Sequence, residues 1–257
     1  MATILDYARA ANYTYNYSGV AGDDADPEAA PKRGPDGFQV GRWDIDRQSG
    51  FAGVYLISNT EVIVAYRGTN NWMSGDALNN ANIARRRVPT AQVTRARAFF
   101  DAVKSVAQGK PISVTGHSLG GGLSQVVGAF EGVDAVTFNA PGMMTAIEHY
   151  SENKPEAIKG ARAVNFREAL DTVSAGTGRH YGVTHRVRYV NRLSAAAGVA
   201  RSAATGGRVG GVWGAIGGAL FGAAKVTFGE SHSMDNFVSY FERAGTGGNG
   251  SPFSYRG

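Results

Sequence analysis

The stretch "PISVTGHSLGGGLSQVVGAF", residues 111–130, places a histidine, a serine and four glycines between two apolar segments of different period. Ile112 to Thr115 reads as a buried strand, whereas Leu123, Val126, Val127 and Phe130 recur at helical spacing. Glycine reaches positive φ without a Cβ clash and lets neighbouring backbone come close. A glycine cluster between strand and helix therefore marks a turn too tight for other residues. That turn is Gly116-His117-Ser118-Leu119-Gly120, the G-x-S-x-G nucleophile elbow. Glycines two before and two after the serine make room for a strained turn that projects Oγ from the sheet edge. Gly121 and Gly122 let the helix begin against the sheet.

Working outward, the strand alternates with helices in a consistent way. Ile4 to Tyr17 reads as a helix, followed by a polar loop to Gly37. "FQVGRWDI", "FAGVYLIS" and "EVIVAYRG" read as three strands, the last two joined across Asn59-Thr60 as a hairpin. Thr90 to Ala107 has the spacing of a helix that packs Val93, Ala96, Phe99, Phe100 and Val103 on one side. Beyond the elbow helix, "DAVTFNAPG" and "ARAVNFREALD" each read as a strand running into a loop, and "GRHYGVTHRV" reads as a hairpin. Strands alternating with helices imply right-handed crossovers and a parallel sheet. The fold class is α/β: a mixed, mostly parallel sheet with helices on both faces and an antiparallel hairpin at one edge.

Length and composition bound the rest. A chain of 257 residues suits one α/β domain with a sizeable core. The absence of cysteine excludes a thiol nucleophile, a disulfide framework and thiolate metal sites, and no cofactor or metal is expected. The formal net charge of +5 is spread over Arg85 to Arg87, Arg95, Arg97 and Arg179 to Arg192. No recognition-helix pattern or base-stacking aromatic array accompanies it, so nucleic acid is not expected as a partner. An anionic phospholipid surface would satisfy the same charge, as would a solvated face. The opening "MATILDYARAANYTYNY" has no basic segment followed by a long apolar run, so a secretory leader and classical export are not expected.

A serine hydroxyl is a poor nucleophile at neutral pH and needs a base and a third group to orient that base. In α/β-hydrolases these follow in chain order Ser, Asp or Glu, His. His149, His180, His185 and His232 compete for the base, and the order favours His232, in the polar stretch before a late helical pattern. Asp134 precedes its strand, whereas catalytic side chains gather at the carboxyl ends of such sheets. Asp171 follows the strand "AVNF" on the correct edge, with Glu168 as its rival.

At this point the motifs carry a resemblance. "VIVAYRGTNNW", "VTGHSLGGGLSQ", "VTFNAPG", "AVNFREALDTV" and "HSMDNFV" resemble the class 3 lipases, the fungal-lipase-like branch of the α/β-hydrolases. The resemblance covers most of residues 50–190 and the last helix. It implies a lipase or phospholipase acting on glycerolipid acyl esters. It also implies an oxyanion hole from the backbone of Thr69 and Leu119 and a lid over the Asn70 to Pro89 region. "LDTVSAGTG" departs from the family in lacking a proline soon after the acid. Delivery by a dedicated machine, as a toxin-like effector, would account for a lipase without a leader. Such a protein would have a delivery or immunity partner.

The larger departure lies between Asp171 and His232. A Gly/Ala-rich insertion over residues 194–228 puts a small residue at every fourth position: Gly198, Ser202, Gly206, Gly210, Gly214, Gly218 and Gly222. Small-xxx-small spacing supports close helix packing in membranes, although the uncharged run from Val209 to Ala224 is shorter than the roughly 20 residues of a spanning helix. Three readings stand: a segment that contacts a membrane surface, a helix packed on the hydrolase core, and a flexible insertion. A non-catalytic, membrane-active protein carried on a hydrolase fold is the rival functional class. Residues 245–257, rich in glycine, read as a flexible tail.

Overall fold

The computed structural model describes residues 1–16, 31–68, 90–151, 158–169, 171, 174, 178–189, 232–243 and 245–256. Thr69, the Asn70 to Pro89 region and the Gly/Ala-rich insertion lie outside the described residues.

Seven strands form one sheet in sequential order: β1 (Gln39–Asp46), β2 (Phe51–Ile57), β3 (Val62–Tyr66), β4 (Ile112–His117), β5 (Ala135–Phe138), β6 (Ala163–Glu168) and β7 (Val183–Val187). β1, β2 and β3 pair antiparallel, and every pairing from β3 to β7 is parallel. The turn between β2 and β3 closes where the Ser58 N–H donates to the Glu61 carbonyl at 2.9 Å, leaving Asn59 and Thr60 at its tip. Parallel neighbours need crossovers, which from β3 to β6 are supplied by α2 (Thr90–Val106), α3 (Leu119–Glu131) and α4 (Met144–Ser151).

Side-chain alternation along the strands sends residues to two cores. From β3, Val62, Val64 and Tyr66 pack with α2 and α3. Ile63 and Ala65 pack on the opposite face with α1 (Ile4–Tyr13) and α5 (Met234–Phe241). The near-continuous apolar runs of the central strands follow from this two-sided burial. On α2 the expected face, Val93, Ala96, Phe99, Phe100 and Val103, is buried. α1 opens on a capping box, in which the Asp6 N–H donates to Thr3 Oγ1 at 3.2 Å and the Thr3 N–H donates to Asp6 Oδ2 at 2.9 Å.

Two expectations are corrected. "GRHYGVTHRV" does not fold back on itself: Val183–Val187 is a strand that pairs in parallel with β6 and extends the sheet. The residues from 245 to 256 are not a loose tail. The Ile4 and Leu5 N–H groups donate to the carbonyls of Gly250 and Gly248 at 3.0 and 2.8 Å. These are first-turn donors of α1 that have no partner within the helix, so the chain end completes the cap. Pro252 is buried, and the Tyr255 ring sits 5.2 Å from that of Phe166.

Candidate active site

Ser118 lies between the last residue of β4 and the first of α3, with φ 55 and ψ −129. A non-glycine residue holds such a conformation only when its surroundings over-determine it. The clamp is the glycine pair of the elbow. A Cβ on Gly120 would lie 2.1 Å from the Tyr66 carbonyl oxygen, and one on Gly116 would lie 2.4 Å from the Gly120 carbonyl carbon. Both obstacles are backbone, so neither can rotate away. Serine usually caps a helix through its side chain, yet Ser118 makes no such bond, and its buried Oγ has no hydrogen-bond partner among the described residues.

His232 stands before α5 and Asp171 in the loop after β6, 61 positions apart in the chain. His232 Nδ1 and Asp171 Oδ1 are 2.8 Å apart, and both residues are buried. The other carboxylate oxygen, Oδ2, accepts from the Ser174 N–H at 2.9 Å. Burial alone would raise the Asp171 pKa. The imidazole and the Ser174 bonds outweigh it and hold the carboxyl below its ordinary value, so the group is an anion. The His232 and His117 rings have centroids 4.6 Å apart, which brings the His232 loop beside the elbow.

The remaining candidates occupy other places. Asp134 accepts from Arg162 Nε at 3.1 Å and precedes β5, at the amino end of the sheet. Glu168 is buried at the end of β6, where its N–H donates to Asn139 Oδ1 and its carbonyl accepts from the Asp171 N–H. It thus supports the acid loop through its backbone. His180 Nε2 is 3.1 Å from the Ser174 carbonyl oxygen, His185 stacks on Phe166, and His149 packs against Tyr150 on α4. Leu119 is the first residue of α3, where helical N–H groups lack partners within the helix.

Other contacts at the site join residues that the sequence pattern does not connect. Tyr15 Oη lies 2.6 Å from His117 Nδ1, and the Arg67 guanidinium stands 5.8 Å from the Tyr15 ring centroid. Burial pushes the His117 pKa well down, and the nearby His232 pushes the same way, so this imidazole is neutral. Burial also raises the Tyr15 phenol, which keeps its proton. Gly68 sits against the elbow: a Cβ there would lie 2.6 Å from the His117 carbonyl oxygen and 3.0 Å from Ser118 Cβ. Thr69 is the next residue in the chain. Asn139, at φ 43, ties the loop after β5 to the end of β6, a role visible only once the two are adjacent, while Ser174 braces Asp171 within the loop after β6.

A mostly parallel sheet with helices on both faces and a G-x-S-x-G turn at the carboxyl end of a central strand defines an α/β-hydrolase. Residues 7–213 match the Tle-like phospholipase domain, and the chain belongs to that phospholipase-like family. It is similar to the extracellular phospholipase A1 of Serratia liquefaciens, 38% identical over 99 residues that make up 38% of this chain and 30% of that protein. The aligned part therefore spans under a third of that relative. Among solved structures, the lipase of Rhizopus microsporus var. chinensis aligns with a TM-score of 0.47 at 18% identity, covering 73% of this chain and 74% of that one. A triacylglycerol lipase of Penicillium expansum aligns with a TM-score of 0.48 at 17% identity, covering 72% and 79%.

Proposed function

We propose that the protein is a serine lipase or phospholipase that hydrolyses glycerolipid acyl esters through Ser118, His232 and Asp171. The observation that carries this reading is the 2.8 Å contact between His232 Nδ1 and Asp171 Oδ1 beside a buried serine held at φ 55. With Nδ1–H donated to the carboxylate, Nε2 carries the lone pair that takes the Ser118 proton. Oγ attacks the ester carbonyl, and the imidazolium, stabilised by the Asp171 anion, returns the proton to the leaving alcohol. Water then enters, His232 removes its proton, and the acyl-enzyme is cleaved to the fatty acid with Ser118 restored. The backbone N–H groups of Leu119 and Thr69 stabilise the oxyanion. The lipid surface is the partner, reached in this reading with help from the Gly/Ala-rich insertion.

The test is Ser118→Ala on a soluble short-chain ester and on phospholipid vesicles. Turnover on both should fall by several orders of magnitude while the thermal melt is unchanged. Retention of more than a few per cent of wild-type turnover by clean protein would remove Ser118 from the mechanism.

A further inference from the structure

At the carboxyl edge of the sheet, two arginines face one another. Arg167 of β6 is directly paired with Arg186 of β7. Among the described residues neither forms an ion pair, whereas Arg9, Arg95, Arg97, Arg162 and Arg179 each meet a carboxylate. Arg167 Nε is buried without a hydrogen-bond partner, while Arg186 is exposed. Like charges placed opposite each other across strands are unfavourable, and an unsatisfied buried donor adds to that cost. Burial and the neighbouring Arg186 charge push the Arg167 pKa down, against the opposing charges of Asp171 and Glu168. Two facing guanidinium groups, one with a buried Nε–H that has no acceptor among the described residues, suit an anion that bridges both.

Register places this pair relative to the nucleophile. His117, Phe138, Phe166 and His185 are aligned across β4, β5, β6 and β7. The next row holds Ser118, Asn139, Arg167 and Arg186, and the Ser118 and Asn139 N–H groups continue the ladder to the Phe138 and Phe166 carbonyls. At about 4.8 Å per strand, the Arg167 backbone is about 10 Å and the Arg186 backbone about 14 Å from that of Ser118. An arginine side chain and the glycerol unit between an acyl ester and a phosphodiester are together long enough to span that separation. Planar guanidinium groups match phosphate oxygens bidentately.

We propose that Arg167 and Arg186 form the site that binds the phosphate of a glycerophospholipid whose acyl ester lies at Ser118. The inference deepens the proposed hydrolysis of glycerolipid esters and rests on it for the position of the ester. It makes phosphate-bearing lipids the preferred substrate class over triglycerides, which have no group for this pair.

Binding can be measured without turnover by titrating the full chain calorimetrically with a short-chain diether glycerophosphoglycerol and with the matching neutral dialkylglycerol. The wild type should prefer the phosphodiester, and Arg186→Gln should reduce that preference about tenfold, or about 1.4 kcal/mol. Arg186→Lys should restore part of it. Arg167→Gln should act in the same direction, with a thermal melt to check folding, and the exposed Arg186 keeps the test decisive if Arg167→Gln fails to fold. Equal preference in wild type and Arg186→Gln would overturn the proposal. If inorganic phosphate displaces the neutral-lipid-corrected signal as well as the diether phospholipid does, the ligand is free phosphate and the lipid assignment falls. A wild type that binds the diether phospholipid but cleaves no ester would overturn the hydrolytic reading and leave this site standing.

Discussion

Replacing Asp171 by asparagine changes one atom and should stop the reaction for a reason that the local bonding dictates. Asp171 Oδ2 accepts from the Ser174 N–H at 2.9 Å, and Oδ1 meets His232 Nδ1 at 2.8 Å. An asparagine can satisfy Ser174 only with its carbonyl oxygen, so its NH2 turns towards His232. Nδ1 must then accept, the ring proton moves to Nε2, and the nitrogen that should receive the Ser118 proton no longer has a lone pair. In Ser-His-Asp hydrolases this exchange lowers kcat about ten-thousand-fold with the geometry preserved, which corresponds to about 5.5 kcal/mol of activation free energy at about 1.4 kcal/mol per decade. The assay is initial-rate hydrolysis of a soluble short-chain ester by Asp171→Asn, beside Glu168→Gln and His180→Ala, with melts to confirm folding. A folded Asp171→Asn that loses less than about tenfold would refute the tautomer reasoning and the choice of acid.

Gly68→Ala should lower activity sharply, because the new Cβ would lie 2.6 Å from the backbone oxygen of His117 and displace the elbow; wild-type turnover in that variant would show that the strand end shifts without cost. Deleting residues 245–257 should lower the denaturation midpoint by removing the acceptors for the Ile4 and Leu5 N–H groups, and an unchanged urea midpoint would contradict this capping role. The pH dependence of stability has a definite sign. Burial lowers the pKa of His117 well below 6.5, so the unfolded chain binds the proton more readily and stability falls as pH drops through 6.5. His117→Gln should flatten the melting temperature between pH 7 and pH 5, and an unaltered slope would assign it to other groups. The Asp171 contribution persists lower, being lost only as pH falls below its ordinary value of 3.8.

The elbow was legible because its information is local. A strand period, a helix period and glycines at two fixed offsets from a serine lie within one short stretch, and the clash of any Cβ on Gly120 with Tyr66 is the tertiary expression of that spacing. Chain order and strand-end position likewise singled out Asp171 and His232, which the fold brings to 2.8 Å. The edge strand β7 was misread because a glycine beside a short polar run suits a hairpin locally, and only the open edge of β6 gives it a parallel partner. The glycine-rich end was misread for a similar reason: loose composition describes the unfolded chain, whereas two orphan N–H groups of α1, distant in sequence, hold the segment in place. Tyr15 against His117, Asn139 against Glu168 and Arg167 opposite Arg186 are pairings between elements that local period cannot connect. Sequence by itself singled out Ser118, Asp171 and His232 as candidates and the elements that present them. Tertiary structure decided their neighbours, because burial, register and shared hydrogen bonds exist only once the strands are laid side by side.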